Sequence, residues 1–247
     1  MPLPIFLIYY ASIFLKRGYE GAGELYLHFP QLIMLSAIPD EMTPFARKPL
    51  HICYAMVFGL FWVYTGLTTP DLTNWLLENT LTLSLIICLV AFYNILRFSD
   101  IAYTLVFLFL LLHVYGSQYQ YAENPFGEWL KETLHLKRNH YDRLVHFGFG
   151  LLLAYPMHEV FAYGLRVKRP YSYLLPVEIT LSLSALYELV EWLVAEIVFK
   201  EDEQAMAYLG TQGDIWDAQK DMALALVGAL IAMALAYLLR KRSSRTS

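Results

Sequence analysis

Six separate stretches of this chain each run for roughly twenty predominantly apolar residues, the length an α-helix needs to cross the hydrocarbon core of a bilayer. They fall at 49–67, 76–96, 100–119, 143–163, 172–198 and 219–239. In lipid the backbone must satisfy its own hydrogen bonds, so each stretch is expected to be helical. Composition agrees: the chain is 57% hydrophobic and 16% charged, and its mean hydropathy is +0.43, whereas a soluble domain carries about 25% charge. The expected fold is all-α, a polytopic six-helix membrane bundle.

The first 48 residues read differently. Apolar segments at 3–15 and 25–38 are short, and the second contains Pro30 and is followed by Pro39. They are expected to form one or two short interfacial or extra membrane helices in an N-terminal extension, 1–48, ahead of a six-span domain, 49–247. No basic region precedes the first apolar segment, since Lys16 and Arg17 follow it, so a secretory signal peptide is not expected. Cys53 and Cys88 both fall in spans without a C-x-x-C pair, and are expected as small core residues. The net charge of −4 leaves no footprint for nucleic acid; the expected surroundings are membrane lipids, with a membrane-protein partner or a second copy of the chain left open.

Basic residues orient the bundle. With the first span starting inside, Arg47, Lys48, Arg97, Arg166, Lys168, Arg169, Arg240, Lys241, Arg242 and Arg245 lie at the inner ends. Lys131, Lys137, Arg138, Arg143, Lys200 and Lys220 lie outside. The excess predicts both ends of the six-span unit in the cytoplasm of a bacterial inner membrane.

On that topology nine unusual ionisable residues share one level, at or just under the outer, periplasmic face: Glu78, His113, Asp142, His146, Glu188, Glu191, Asp214, Asp217 and Asp221. Charged groups in membrane helices are costly and mark a site or an internal pair. Their spacings are helical. Asp142 and His146 are four apart, Glu188 and Glu191 three apart, and Asp214, Asp217 and Asp221 form a single stripe. Three helices thus each offer an acidic or imidazole face to a shared outward pocket. Trp75, Trp129, Trp192 and Trp216 at the same level are expected as an aromatic belt. Gly148, Gly150 and Gly228 are expected to allow close helix packing.

Three chemistries fit such a pocket. Imidazole with carboxylates suits a divalent metal, zinc, manganese or iron, with His113, His146, Glu188, Asp214 and Asp221 as candidate ligands. Asp142, Glu191 and Asp217 are then the candidate acid–base groups, Asp142 through His146. Arg138 and Arg143 beside the acids suit an anionic substrate such as a lipid phosphate, with Tyr119, Tyr121 and Glu78 completing the lining. The third is a purely structural network in which the acids, Arg143 and Lys220 neutralise one another.

Several stretches carry a specific resemblance. They are Pro70-Asp71 through Trp75 to Glu78-Asn79, LHVYGSQYQYAENPFGEW at 112–129, RNHYDRLVHFGFGLLL at 138–153, YELVEW at 187–192 and LGTQGDIWDAQKDM at 209–222. Together they resemble the YjdF-type family of bacterial inner-membrane proteins over residues 50–240, a family whose domain has no established function. The resemblance adds Asn139 and Gly213 to the signature residues, Asn139 as a further substrate-side candidate. A fainter likeness runs to VanZ-like membrane proteins through Asp142-Arg143, His146-Phe147, Asp221 and Gly228, although Ala225 stands where that pattern carries asparagine. It implies cell-envelope chemistry. The leading expectation is a metal-assisted enzyme or binder acting on an envelope lipid or its headgroup. An ion- or proton-coupled transporter and a structural subunit of a larger membrane complex are the alternatives, so enzymatic activity stays open.

Overall fold

The computed structural model describes residues 48–93, 98–198 and 209–246, with side chains given up to position 241. The short N-terminal helices expected at 3–15 and 25–38 lie outside the described residues. The described elements are helical, with no strand among them. In chain order they are α1 (Pro49–Thr68), α2 (Leu72–Ala91), α3 (Asp100–Ser117), α4 (Pro125–Thr133), α5 (Tyr141–Glu159), α6 (Arg169–Val198) and α7 (Asp217–Thr246). All but the short α4 are long and apolar enough to span a membrane, which makes six candidate spans. Their outer surfaces are apolar, with Leu60 75% and Leu67 81% exposed. A water-facing surface would not tolerate so continuous an apolar face, so the solvent here is lipid.

Helix ends follow local chemistry. α2 starts at Leu72, four residues earlier than the apolar run implies, because the Asp71 carboxylate caps the Asn74 amide at 3.0 Å. The earlier start carries Glu78 into the second turn, where it is 4% exposed. Ser99 caps α3, and its amide and hydroxyl both donate to the Glu159 carboxylate, at 2.9 and 2.6 Å. Asn124 caps α4 through Phe126 and Gly127, with Pro125 in the first turn. α5 contains Pro156 and loosens into a π-turn at Val160–Gly164.

α5 is the central helix of the described bundle, contacting α3, α6 and α7. Its crossing with α7 is set by small residues. A Cβ at Gly150 would overlap the carbonyl of Ala225, and one at Gly228 would overlap the carbonyl of Phe147. Ala225 and Ala229 are fully buried there. Backbones that close gain dispersion contacts, which drive association where lipid removes the hydrophobic force between helices. Val106, Phe109 and Leu110 of α3 and Val145 and Leu153 of α5 form an apolar core where the two helices meet.

Two expectations are corrected. Cys53 and Cys88 are exposed on the lipid-facing surface rather than in the core. Trp75 leaves the expected belt: it is buried, stacks on Trp62 at 5.7 Å and donates to the Thr65 hydroxyl at 3.2 Å. Trp129, Trp192 and Trp216 remain exposed.

Candidate functional site: an acidic cluster over the α5–α7 crossing

The crossing explains where the acids go. His146 and Asp142 lie one and two turns before Gly150 on α5; Asp221 and Asp217 lie one and two turns before Ala225 on α7. Helices pinned at Gly150 and Ala225 therefore hold these four side chains face to face. Carboxylate oxygens of Asp142, Asp217 and Asp221 all fall within 4.8 Å of one another. Asp221 and Asp217 are 2% and 5% exposed. From α6, the Glu188 carboxylate approaches His146 Nε2 at 3.4 Å, and Asp142 approaches the same nitrogen at 3.6 Å. Ser184 Oγ lies 3.4 Å from His146 Nδ1.

The acids divide into two sets. Asp217 and Asp214 belong to an ion-pair clamp. Both guanidinium nitrogens of Arg138 engage the Asp217 carboxylate. The same guanidinium donates to the Thr211 and Gly210 carbonyls at 3.1 and 3.2 Å. Arg143 reaches Asp214 at 2.6 Å and Asp217 at 3.1 Å, and Lys220 reaches Asp214 at 2.5 Å. Asp142, Glu188 and Asp221 have no Lys or Arg within ion-pair distance among the described residues. Asp221 Oδ1 and Glu188 Oε1 are buried without a hydrogen-bond partner. Such groups are expensive to leave unmatched.

The clamp depends on the 209–216 segment folding back over α5. Gly210 and Gly213 adopt φ of 61° and 83°, a left-handed conformation open to glycine at little cost, and Gln212 joins them at 48°. The Gln212 amide then brackets Asn139, accepting from its N–H at 2.9 Å and donating to its carbonyl at 3.0 Å. Asn139 is fully buried. Its side chain donates to the Asn124 carbonyl and accepts from the Tyr141 amide. Asn139, a substrate-side candidate from the sequence, thus spends its polar groups stitching three loops together.

A second polar group sits beside the cluster. The Glu78 carboxylate accepts from Tyr187 at 2.9 Å and from Tyr121 at 3.4 Å, and the Tyr121 hydroxyl lies 2.7 Å from His113 Nδ1. His113 stacks on Phe109, and its Nε2 is buried without a partner. Burial, reinforced by Glu78, pushes the Tyr121 hydroxyl well above its ordinary value, so it stays protonated. Glu191 is also buried. Tyr119 instead packs edge-on to Tyr115, at 5.8 Å.

Of the metal candidates, His146 and Glu188 approach each other, and Asp221 joins Asp142 and Asp217. His113 turns to Tyr121, and Asp214 is taken by Lys220 and Arg143. Asp142 and Asp217, expected as acid–base groups, complete the carboxylate triad. Tyr187 and Gln212 were not singled out from sequence. Tyr187 had a usable signal: it is four residues before Glu191, on the same helix face.

Outside the membrane spans two groups are tuned. Hydrogen bonds from Lys220, and then from Arg143, hold the Asp214 carboxyl well below the usual carboxylate range. Burial, followed by the charges of Arg143 and Arg138, lowers His140 below its ordinary value. His140 and Arg143 border a groove of about 370 Å³ whose other walls are apolar, among them Phe126, Leu130, Leu144, Phe147 and Leu224.

Comparison with known proteins places the chain. It is 38% identical over 185 residues to the inner membrane protein YjdF of Escherichia coli (strain K12), covering 74% of this chain and 87% of that protein. No solved structure shows a significant match. A multi-pass inner-membrane protein follows from that relative and the six spans. The family description "Predicted membrane protein (DUF2238)" matches residues 50–242, and the chain belongs to this family of membrane proteins.

Proposed function

We propose that the cluster over the α5–α7 crossing binds a divalent cation and, through it, the phosphate of an envelope lipid, at a site opening to the periplasm. One observation carries this reading: three carboxylates converge within 4.8 Å while Asp221 Oδ1 lacks any hydrogen-bond partner. Two of the three carboxylates, Asp142 and Asp221, have no Lys or Arg within ion-pair distance among the described residues, so a bound cation would offset the cost of burying their charge, while Arg138 and Arg143 pair with Asp214 and Asp217. Aspartate oxygens with His146 at the edge suit a hard-to-intermediate ion, manganese ahead of zinc. The ion would polarise a phosphoryl oxygen, and Asp142 with His146 would hold or move a proton beside it.

The apolar groove beside His140 and Arg143 supports a lipid as the bound molecule, because an acyl chain fits its walls and Arg143 joins the groove to the cluster through Asp217. The excess of basic residues at the opposite end of the bundle supports the periplasmic orientation. The described interior supports a one-sided site over a transport path. Ser84 donates to the Thr80 carbonyl of its own helix at the exposed surface, away from any interior lining.

The test is cation-dependent lipid binding by the purified full chain in detergent, with short-chain phosphatidic acid as probe. Binding is expected with manganese, and is expected to disappear with chelator or with Asp221→Asn. Binding that ignores both treatments would overturn the proposal.

A further inference from the structure

The opposite end of the bundle holds a second groove, independent of the acid cluster. It runs between the first turns of α6 and the later turns of α7, with a volume of about 600 Å³. Val177 and Met233 form its apolar depth, Leu230 lines its open side, and Arg169, Tyr173 and Tyr237 line the end nearest the membrane surface.

Two polar features at that end lack partners of their own. Arg169 lies over the Tyr237 ring, 6.0 Å from its centroid, and has no carboxylate within ion-pair distance among the described residues. The Tyr173 hydroxyl is buried without a hydrogen-bond partner. Its ring cannot swing away, being stacked on His158 at 4.2 Å and held edge-on by Tyr237 at 5.8 Å. A fixed, buried donor and an uncommitted guanidinium at the mouth of an apolar slot form a matched pair of unmet needs. The arginines at the acidic end are the contrast, since each is paired with Asp214 or Asp217. The start of α6 adds the positive end of a helix dipole, and Lys168 and Arg240 are exposed at the same end.

We propose that this groove is a binding site for an anionic phospholipid, with one acyl chain along Val177 and Met233 and the headgroup phosphate between Arg169 and the Tyr173 hydroxyl. Apolar depth selects a lipid over a soluble anion, and the uncompensated charge selects an anionic headgroup over a zwitterionic one.

Native mass spectrometry of the full chain in detergent tests this, with phosphatidylglycerol and phosphatidylcholine of equal acyl length as probes. Phosphatidylglycerol is expected to be retained about tenfold better. Arg169→Gln, at an exposed position, should remove that preference without changing thermal stability. Val177→Trp should displace both lipids, and Tyr173→Phe should weaken phosphatidylglycerol more than phosphatidylcholine. Equal retention of the two lipids, a preference that survives Arg169→Gln, or occupancy unaffected by Val177→Trp would each overturn the proposal.

Discussion

Gly150 of α5 lies against the carbonyl of Ala225 in α7, closer than any side chain would permit. The four polar side chains over the crossing are arranged by that contact, because Asp142 and His146 precede one partner by two turns and one turn and Asp217 and Asp221 precede the other in the same way. Gly150→Val is therefore expected to destabilise the bundle by roughly 1–3 kcal/mol or more through overpacking. Gly228→Val should act similarly against the Phe147 carbonyl. Gly59→Val, where nothing lies within 4 Å, is the control and should leave thermal unfolding in detergent unchanged.

The two sets of acids predict opposite phenotypes for similar substitutions. Asp217→Asn strips Arg138 of its bidentate partner and leaves the buried guanidinium with only the more distant Asp214 carboxylate at 3.8 Å, at a cost of about 3 kcal/mol. Asp221→Asn removes a charge whose Oδ1 has no hydrogen-bond partner, so stability should hold or rise while cation binding falls. Parallel melting curves and manganese titrations of the two variants separate the roles.

Acid should weaken the fold in two stages. His140 has a lowered value in the folded chain, so its contribution is complete above its ordinary value of 6.5 and declines as pH falls below that. Asp214 is also depressed; its contribution is complete above 3.8 and is lost as pH drops through its folded value. Melting temperature measured from about pH 8 to pH 5 should fall below about pH 6.5, and His140→Gln should flatten that part of the profile.

Gln212 is expected to matter for a reason unconnected with cation chemistry. Its amide makes both hydrogen bonds to the Asn139 backbone, and Gln212→Ala should cost about 1–3 kcal/mol by leaving buried backbone groups unmatched. Limited proteolysis should then cut the 209–216 segment faster than in the wild type.

The six spans were legible in the sequence because apolar run length alone decides what a bilayer can hold. The start of α2 was not, because Thr73 and Asn74 depress the local hydropathy although Asp71 caps the helix before them. Glu78, expected at the start of the span, consequently lies in the second turn of α2, bonded to Tyr187. The acidic stripes were legible from spacings of three and four. Their division into clamp and open cluster was not, since it depends on Arg138 reaching the Gly210 and Thr211 carbonyls of a segment turned by left-handed residues. Burial of Trp75 and exposure of Cys53 and Cys88 were missed for a related reason: apolar content fixes which segments enter the membrane, while the facing of each side chain is set by helix rotation.

A manganese titration followed by electron paramagnetic resonance, on wild type and on Asp221→Asn and Asp142→Asn variants with unchanged melting curves, bears most directly on the cluster. Wild type should hold one saturable manganese per chain, with free-ion signal appearing only after that site fills, and both variants should bind at least about tenfold more weakly. Manganese that stays free in the wild type, or binds equally well in all three proteins, would contradict a cation site between α5 and α7.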